Sequence, residues 1–319
     1  MSVIEETEFF TLHQAAEGVW AAIAVPGSGA QGNAAIVDLG DVTIVVDTFM
    51  VPQAAEQLRQ MAIELTGRPI QFVVNTHYHG DHHYGNQAFS DSIILSTEKV
   101  QQFLSGHAAP LAEDWQAALR QQIAGLIEAQ DNETDPRVVS ALRDEIADKE
   151  RLHEAAPAIR RVTASITFTD KLTLHGSKRT ARIITYGGGH TLSDAFIYIP
   201  EEKVLIAGDL ILEKTHPAML HGDLAAWPVI LERIRSDFEL NAVIPGHGSI
   251  AGPDNIDEML DYLNNIQEAA KQAAASGITA EEGLALGIPQ AFADWTCAHV
   301  YGWNFRWLYN AYTDRRNDE

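Results

Sequence analysis

Residues 75–86 read NTHYHGDHHYGN, four histidines and one aspartate in twelve positions, directly behind the apolar run Phe72–Val74. The stretch IQFVVN reads as a buried strand, so this loop begins at a strand's carboxyl end, where α/β folds build their sites. A surface loop has no need of so many imidazoles, and a core would be harmed by them unless each were paired. On a turn leaving a strand, His77 and His79 can converge on one ion. Asp81 and His82 can face a second ion close by. Four side chains are too few for two metals, since each takes about four to six donors. The chain must therefore supply more ligands at other strand ends. His190 follows the strand-like ARIITY through three glycines, Asp209 ends KVLIAGD and His247 ends AVIPGH. His83 adjoins the motif, but its side chain is expected to point away.

The rest of the chain supplies the strands this scheme requires. VWAAIAV, NAAIVDL and VTIVVD are β-branched runs broken by turn residues. Residues 51–66 read as a helix, with Ala54, Leu58, Met61 and Leu65 at spacings of three and four. SIILS is a further short strand. Residues 98–158 change character: Trp115, Leu119, Ile123 and Leu126 form one helical stripe, and Asp135-Pro136 is an N-cap followed by N1 proline. This segment reads as a helical insertion, a hairpin of helices with a solvated charged face. Strands return over 161–186 and in AFIYIP and KVLIAGD. A helix covers roughly 224–238, NAVIPGHG is a strand and loop, and 255–319 is a helical extension. Strands, helix, strand and histidine loop thus occur in each half, within one domain spanning 1–319.

Composition narrows the partners. The 319 residues are 46% hydrophobic and 21% charged, an ordinary globular balance. A net charge of −22 repels phosphate backbones and anionic membranes, and the basic pair Arg160–Arg161 is no basic patch, so neither nucleic acid nor membrane is expected. No apolar stretch approaches the ~18 residues of a spanning helix. The single cysteine, Cys297, excludes an internal disulfide, and MSVIEETEFF carries acidic residues where a signal peptide carries basic ones. The expected setting is the cytoplasm and the expected partner a small-molecule substrate.

The motif order, Asp47 in VVDT, THYHGDH, GGGHT, AGD and PGHG, resembles the metallo-β-lactamase superfamily over roughly residues 18–255, interrupted by the 98–158 insertion. The resemblance implies an α/β fold: a four-layer αββα sandwich with the metals at one edge. It implies that His77, His79 and His190 hold one divalent ion, that Asp81, His82 and His247 hold another, and that Asp209 bridges. Asp47 is expected behind the ligands, orienting one of them or the loop backbone. Zinc is the expected ion, with iron and manganese as alternatives. The implied chemistry is hydrolysis by a hydroxide shared between two ions, with Asp81 handling the proton.

The superfamily's true β-lactamases carry cysteine or serine where this chain has Asp209, whereas a bridging aspartate resembles the thioesterase, lactonase and esterase branches. Cleavage of a carboxylic ester, lactone or thioester is therefore expected. The alternatives are β-lactamase activity, as the main or a weak side reaction, and a mononuclear iron persulfide dioxygenase. For the substrate pocket the candidates are Tyr78, between two ligands, and His216 and Trp227, which follow Asp209. The insertion and the aromatic VYGWNFRWLYNAY stretch are candidate lids, and they also offer surfaces for a homodimer.

Overall fold

The computed structural model describes residues 3–106 and 113–317; residues 107–112 of the expected insertion, and the two extreme ends of the chain, lie outside the described residues. The first sheet has eight strands in chain order: β1 (Val3–Glu6), β2 (Phe10–Ala16), β3 (Val19–Ala24), β4 (Ala34–Asp38), β5 (Thr43–Val46), β6 (Phe72–Val74), β7 (Ile93–Thr97) and β8 (Ile166–Phe168). The second has five: β9 (Lys171–His175), β10 (Thr180–Gly187), β11 (Asp194–Ile199), β12 (Val204–Gly208) and β13 (Ala242–Pro245), in the order β13-β12-β11-β10-β9. Strands β1 and β2 extend the sheet beyond the sequence-based expectation, which began at Val19.

The helices are α1 (Pro52–Thr66), α2 (Gly80–His83), α3 (Glu98–Gly106), α4 (Glu113–Asn132), α5 (Pro136–Ala155), α6 (Ala226–Asp237), α7 (Asn255–Ser276), α8 (Ala280–Leu284) and α9 (Ala298–Asn317). Helix α1 ends where the pattern predicted, at Gly67 in the left-handed region, whose N–H closes onto the Ile63 carbonyl. Asp135 caps α5 by accepting from the Arg137 N–H, with Pro136 at the first helical position.

Side-chain alternation makes the layers. Along β4, Ala35 and Val37 face the second sheet, while Ala34 and Ile36 face α1. Along β12, Val204 and Ile206 face the first sheet, and Leu205 and Ala207 face the helical layer of α6, α7 and α9. The result is helices, sheet, sheet, helices, with apolar side chains between every pair of layers.

Chain direction places the site. Strands β5 and β6 are parallel and joined by α1; β12 and β13 are parallel and joined by α6. A parallel pair needs a crossover, so each half contains one, and each crossover delivers a histidine loop at a carboxyl strand end. Strands β7 and β8 are also parallel, and α3, α4 and α5 lie within their connection. The helical segment at 98–158 is thus itself a crossover. Among the described residues, no helix is long and apolar enough to cross a membrane.

Candidate metal centre

The β6 strand runs out at Val74, and the chain bends at His77 and Tyr78 before α2 begins after His79. This short segment brings His77 and His79 together, their rings 4.8 Å apart. The single turn of α2 then rotates the chain, so Asp81 and His82 leave in a different direction. His190 arrives on the turn after β10, Asp209 directly after β12, and His247 directly after β13. A close approach fixes one glycine here: a Cβ on Gly246 would overlap Asp209 Oδ1.

All seven predicted ligand side chains meet. His77, His79, His190 and Asp209 form one group and Asp81, His82 and His247 a second, with the ligand atoms of each group within 4.8 Å of one another. Asp209 stands between them. Its Oδ2 lies 3.2 Å from His190 Nε2 and 3.4 Å from His247 Nε2, and its Oδ1 lies 3.2 Å from His82 Nε2. Asp81 Oδ2 is 3.3 Å from both His82 Nε2 and His247 Nε2.

Buried partners set the ring tautomers. Asp47 accepts hydrogen bonds from the Thr76 N–H at 2.8 Å and the Thr76 hydroxyl at 2.7 Å, and its Oδ2 lies 2.8 Å from His82 Nδ1. The Thr76 hydroxyl, having given its proton to Asp47, can only accept from His77 Nδ1 at 3.0 Å. With both Nδ1 atoms carrying protons, the Nε2 lone pairs of His77 and His82 are left facing the centre. His77 Nε2, His82 Nε2 and Asp209 Oδ1 are buried and have no hydrogen-bond partner. Such orphaned atoms are costly unless something else satisfies them, and a cation does so for imidazole lone pairs and a carboxylate together. Asp47 holds this position with φ of 59°, in the left-handed region that aspartate tolerates better than most residues.

The electrostatics agree with that donor set. Burial lowers the His77 imidazole well below its ordinary value, and it lowers His79 to about 3. Burial opposes ionisation of Asp81 and Asp209 as well, but the neighbouring histidines overcome it and hold both carboxylates well below the usual range. Burial likewise opposes charge on His247, yet Asp209 and Asp81 push it up to about 10. Two buried carboxylates thus demand positive charge at this spot, and metal cations would provide it in place of imidazole protons. Five imidazoles and two carboxylates suit zinc, iron or manganese alike.

A cavity of about 280 Å³ opens on this centre. Its walls include His79, Gly80 and Asp81 from the motif, Trp115 and Leu119 from α4, and Lys149 and Leu152 from α5. The pocket candidates named from sequence sit differently. Tyr78 stacks on Phe103 at 3.8 Å, its ring turned from the cavity. His216 is buried among Tyr262, Trp295 and Tyr301, with Nδ1 3.1 Å from the Tyr262 hydroxyl. Trp227 is buried behind His190, ring centroids 5.3 Å apart, and donates to the Leu210 carbonyl. Neither His216 nor Trp227 lines the cavity. His83 points away, its Nε2 donating to the Tyr78 carbonyl. His221, which was not among the pocket candidates, lies beside the centre, its Nδ1 3.0 Å from His79 Nε2. The sequence reading also left other wall residues aside. It passed over Lys149 and Gln31 at the cavity wall; Trp115 and Leu119 carried a signal, but one that reads as ordinary helix packing.

Comparison with known proteins follows the same lines. A family model described as the metallo-beta-lactamase superfamily matches residues 27–252. Among curated proteins, the chain is 26% identical over 109 residues to the metallo-beta-lactamase type 2 of Bacteroides fragilis, covering 33% of this chain and 44% of that protein. It is 24% identical over 267 residues to the linear primary-alkylsulfatase of Pseudomonas sp. (strain ATCC 19151), covering 77% of this chain and 48% of that protein. The chain thus spans less than half the length of either relative. Among solved structures, the metallo-beta-lactamase from Pontibacter korlensis superposes with a TM-score of 0.58 at 17% identity, covering 80% of this chain and 99% of that one.

Proposed function

The chain belongs to the metallo-beta-lactamase superfamily, and from that premise we propose that it is a metal-dependent hydrolase cleaving a carboxylic ester, lactone or thioester. The observation that carries this reading is the convergence of seven side chains on one spot, with His77 Nε2, His82 Nε2 and Asp209 Oδ1 buried there and without a hydrogen-bond partner. In the proposal His77, His79 and His190 hold one divalent ion, Asp81, His82 and His247 hold another, and Asp209 serves both. Ions held there would lower the pKa of water to near neutrality and polarise a carbonyl oxygen.

The residues of the chain do the rest. Asp47 and Thr76 fix the tautomers of His77 and His82, so both rings keep their lone pairs inward. Asp81 is the proton carrier: its carboxylate accepts a proton from the attacking water and returns it to the leaving oxygen or sulfur. Water adds to the carbonyl carbon, the bond from that carbon to the leaving atom breaks, and acid and alcohol or thiol result. Trp115, Leu119 and Leu152 exclude bulk water from one side of the cavity. Cys297 lies outside the centre and is not needed as nucleophile.

A second reading, hydrolysis of a sulfate ester, is favoured by one observation, the alkylsulfatase match over 77% of this chain. Metal analysis joined to a panel of carboxylic esters, lactones, thioesters, alkyl sulfates and a chromogenic lactam separates the readings. The expected result is about two divalent ions per chain and chelator-sensitive turnover of esters, lactones or thioesters. Faster alkyl sulfate cleavage would move the second reading to first. Undiminished turnover in metal-stripped protein would end both.

A further inference from the structure

A second cleft, of about 780 Å³, lies between the α4–α5 hairpin and the segment of α8 and α9. Its lining includes Gly125 and Leu126 of α4, Leu142 of α5, Ile288 before α9, and Tyr301 and Trp303 of α9. Gln122 and Lys149 line both this cleft and the cavity at the histidine–aspartate centre, so one begins where the other ends. Lys149 is held at that junction by Glu145 at 2.9 Å.

One feature marks the cleft as a built site. His299 lines it and is 9% exposed, yet neither ring nitrogen has a hydrogen-bond partner. A buried polar group is normally satisfied by protein, water or ligand, and the cleft is where His299 meets such a partner. Gly125 of α4 is exposed along the cleft, and a Cβ there would meet nothing within 4 Å, so a larger side chain at this position has room to enter the cleft.

We propose that this cleft receives the apolar tail of an amphiphilic ester whose carbonyl is held at the histidine–aspartate centre. The proposal rests on the hydrolase reading above and narrows it to substrates with an extended alkyl or acyl chain. The adjoining cavity of about 280 Å³ holds the reacting group, and a larger volume lies beyond Gln122 and Lys149 for the tail. The aliphatic and aromatic side chains of the lining suit methylene groups, the charged Arg137 and Arg306 there are paired with Asp135 and Glu281, and His299 offers one hydrogen bond to a polar atom along the chain.

The test uses the metal-loaded full-length chain and p-nitrophenyl esters from acetate to decanoate. The expected kcat/KM rises by up to about fourfold per added methylene, the fold-change equivalent to about 0.8 kcal/mol per buried CH2, and levels off once the cleft is full. Gly125→Trp fills the cleft and is expected to collapse the decanoate-to-acetate ratio of kcat/KM at least tenfold; Gly125→Ala leaves room and keeps the ratio. Calorimetric binding of free decanoate, compared with acetate, reads the cleft without turnover and is expected to weaken in Gly125→Trp. If no ester is turned over but decanoate binding is lost in Gly125→Trp, the hydrolase reading fails and the cleft stands. A flat chain-length series, or equal decanoate binding in wild type and Gly125→Trp, overturns the proposal.

Discussion

On the floor of the centre His82 lies within 3.3 Å of three carboxylates, those of Asp47, Asp81 and Asp209. On its roof Trp115 and Gln122 reach the same cavity from α4, a helix whose residues are largely exposed. The floor is assembled from strand ends that two sheets hold in place, and His77, His79 and His82 each have a second polar contact beyond the centre. The roof is a crossover connection whose helices pack on each other and on α1's side of the first sheet. Strand ends can move little without breaking a ladder, while helices on a long connection can be exchanged without touching the sheets. The difference suggests that the floor sets the chemistry and the roof sets what the chemistry acts on.

If that division holds, the largest effect follows from breaking the floor at Asp209. Asp209→Ala removes the carboxylate that stands between the two groups. Metal content and hydrolytic rate are both expected to fall, the rate by more than the about 100-fold upper bound for outer partners of a metal ligand. Metal stoichiometry measured on the purified variant checks this, and full stoichiometry would show that Asp209 is not shared. Asp47→Ala comes next. It frees the Thr76 N–H and hydroxyl and the His82 Nδ1, so a loss of about 10–100-fold in metal affinity is expected. Competition with a chromogenic chelator reads it; unchanged affinity would mean the tautomers are set elsewhere.

How much of this was legible in the sequence divides along the same line. The seven ligands were legible because each follows an apolar run that can only be a buried strand, and because imidazoles at such density have no packing role. The sandwich was legible only through the family resemblance that the ligand motifs carry, and α5 through Asp135 and Pro136. Strand β2 was not legible: FTLHQAA carries His13 and Gln14 where alternation would help, and its identity as a strand comes from pairing with β3. His216 and Trp227 were misplaced because nearness to Asp209 in sequence says nothing about direction. The chain turns after Leu212 into the outer helical layer, and both side chains go into its core. Lys149 was invisible as a neighbour of the centre, since only the docking of the crossover brings it there, and Gln31 because the loop between β3 and β4 carries no ligand motif.

The roof should respond in the opposite way to the floor. Trp115→Ala removes a half-buried ring from the cavity wall without touching a ligand. The expected result is unchanged metal content and a rise in KM of about three- to tenfold for bulky substrates, within the worth of a partly buried aromatic side chain. Loss of metal in this variant would erase the division between floor and roof.

The smallest effect concerns the tie between the two. Asp148 of α5 is buried and accepts the Gly29 N–H at 2.7 Å. Gly29 lies in the segment that continues to Asn33, whose side chain donates to the Pro245 and Gly248 carbonyls on either side of His247. Burial pushes the Asp148 carboxyl up to about 7, outweighing the Gly29 hydrogen bond, and Glu145 adds to the rise. In the unfolded chain the same group titrates near about 3.9. Between those values the folded protein keeps a proton that the unfolded one releases, so stability falls as pH rises from about 4 to about 7 and levels off above. Asp148→Asn cannot ionise and should lose that slope. Relative to wild type, its Tm is expected to climb across this window, by an amount reflecting at most a few kcal/mol. Metal content should stay the same throughout, because the change lies in how the roof docks and not in what the floor binds. Parallel Tm curves for the two proteins from pH 4 to 8 would mean that Asp148 ionises freely, and that the roof is held by its other contacts, among them Gln31–Glu145 and Arg151–Glu8.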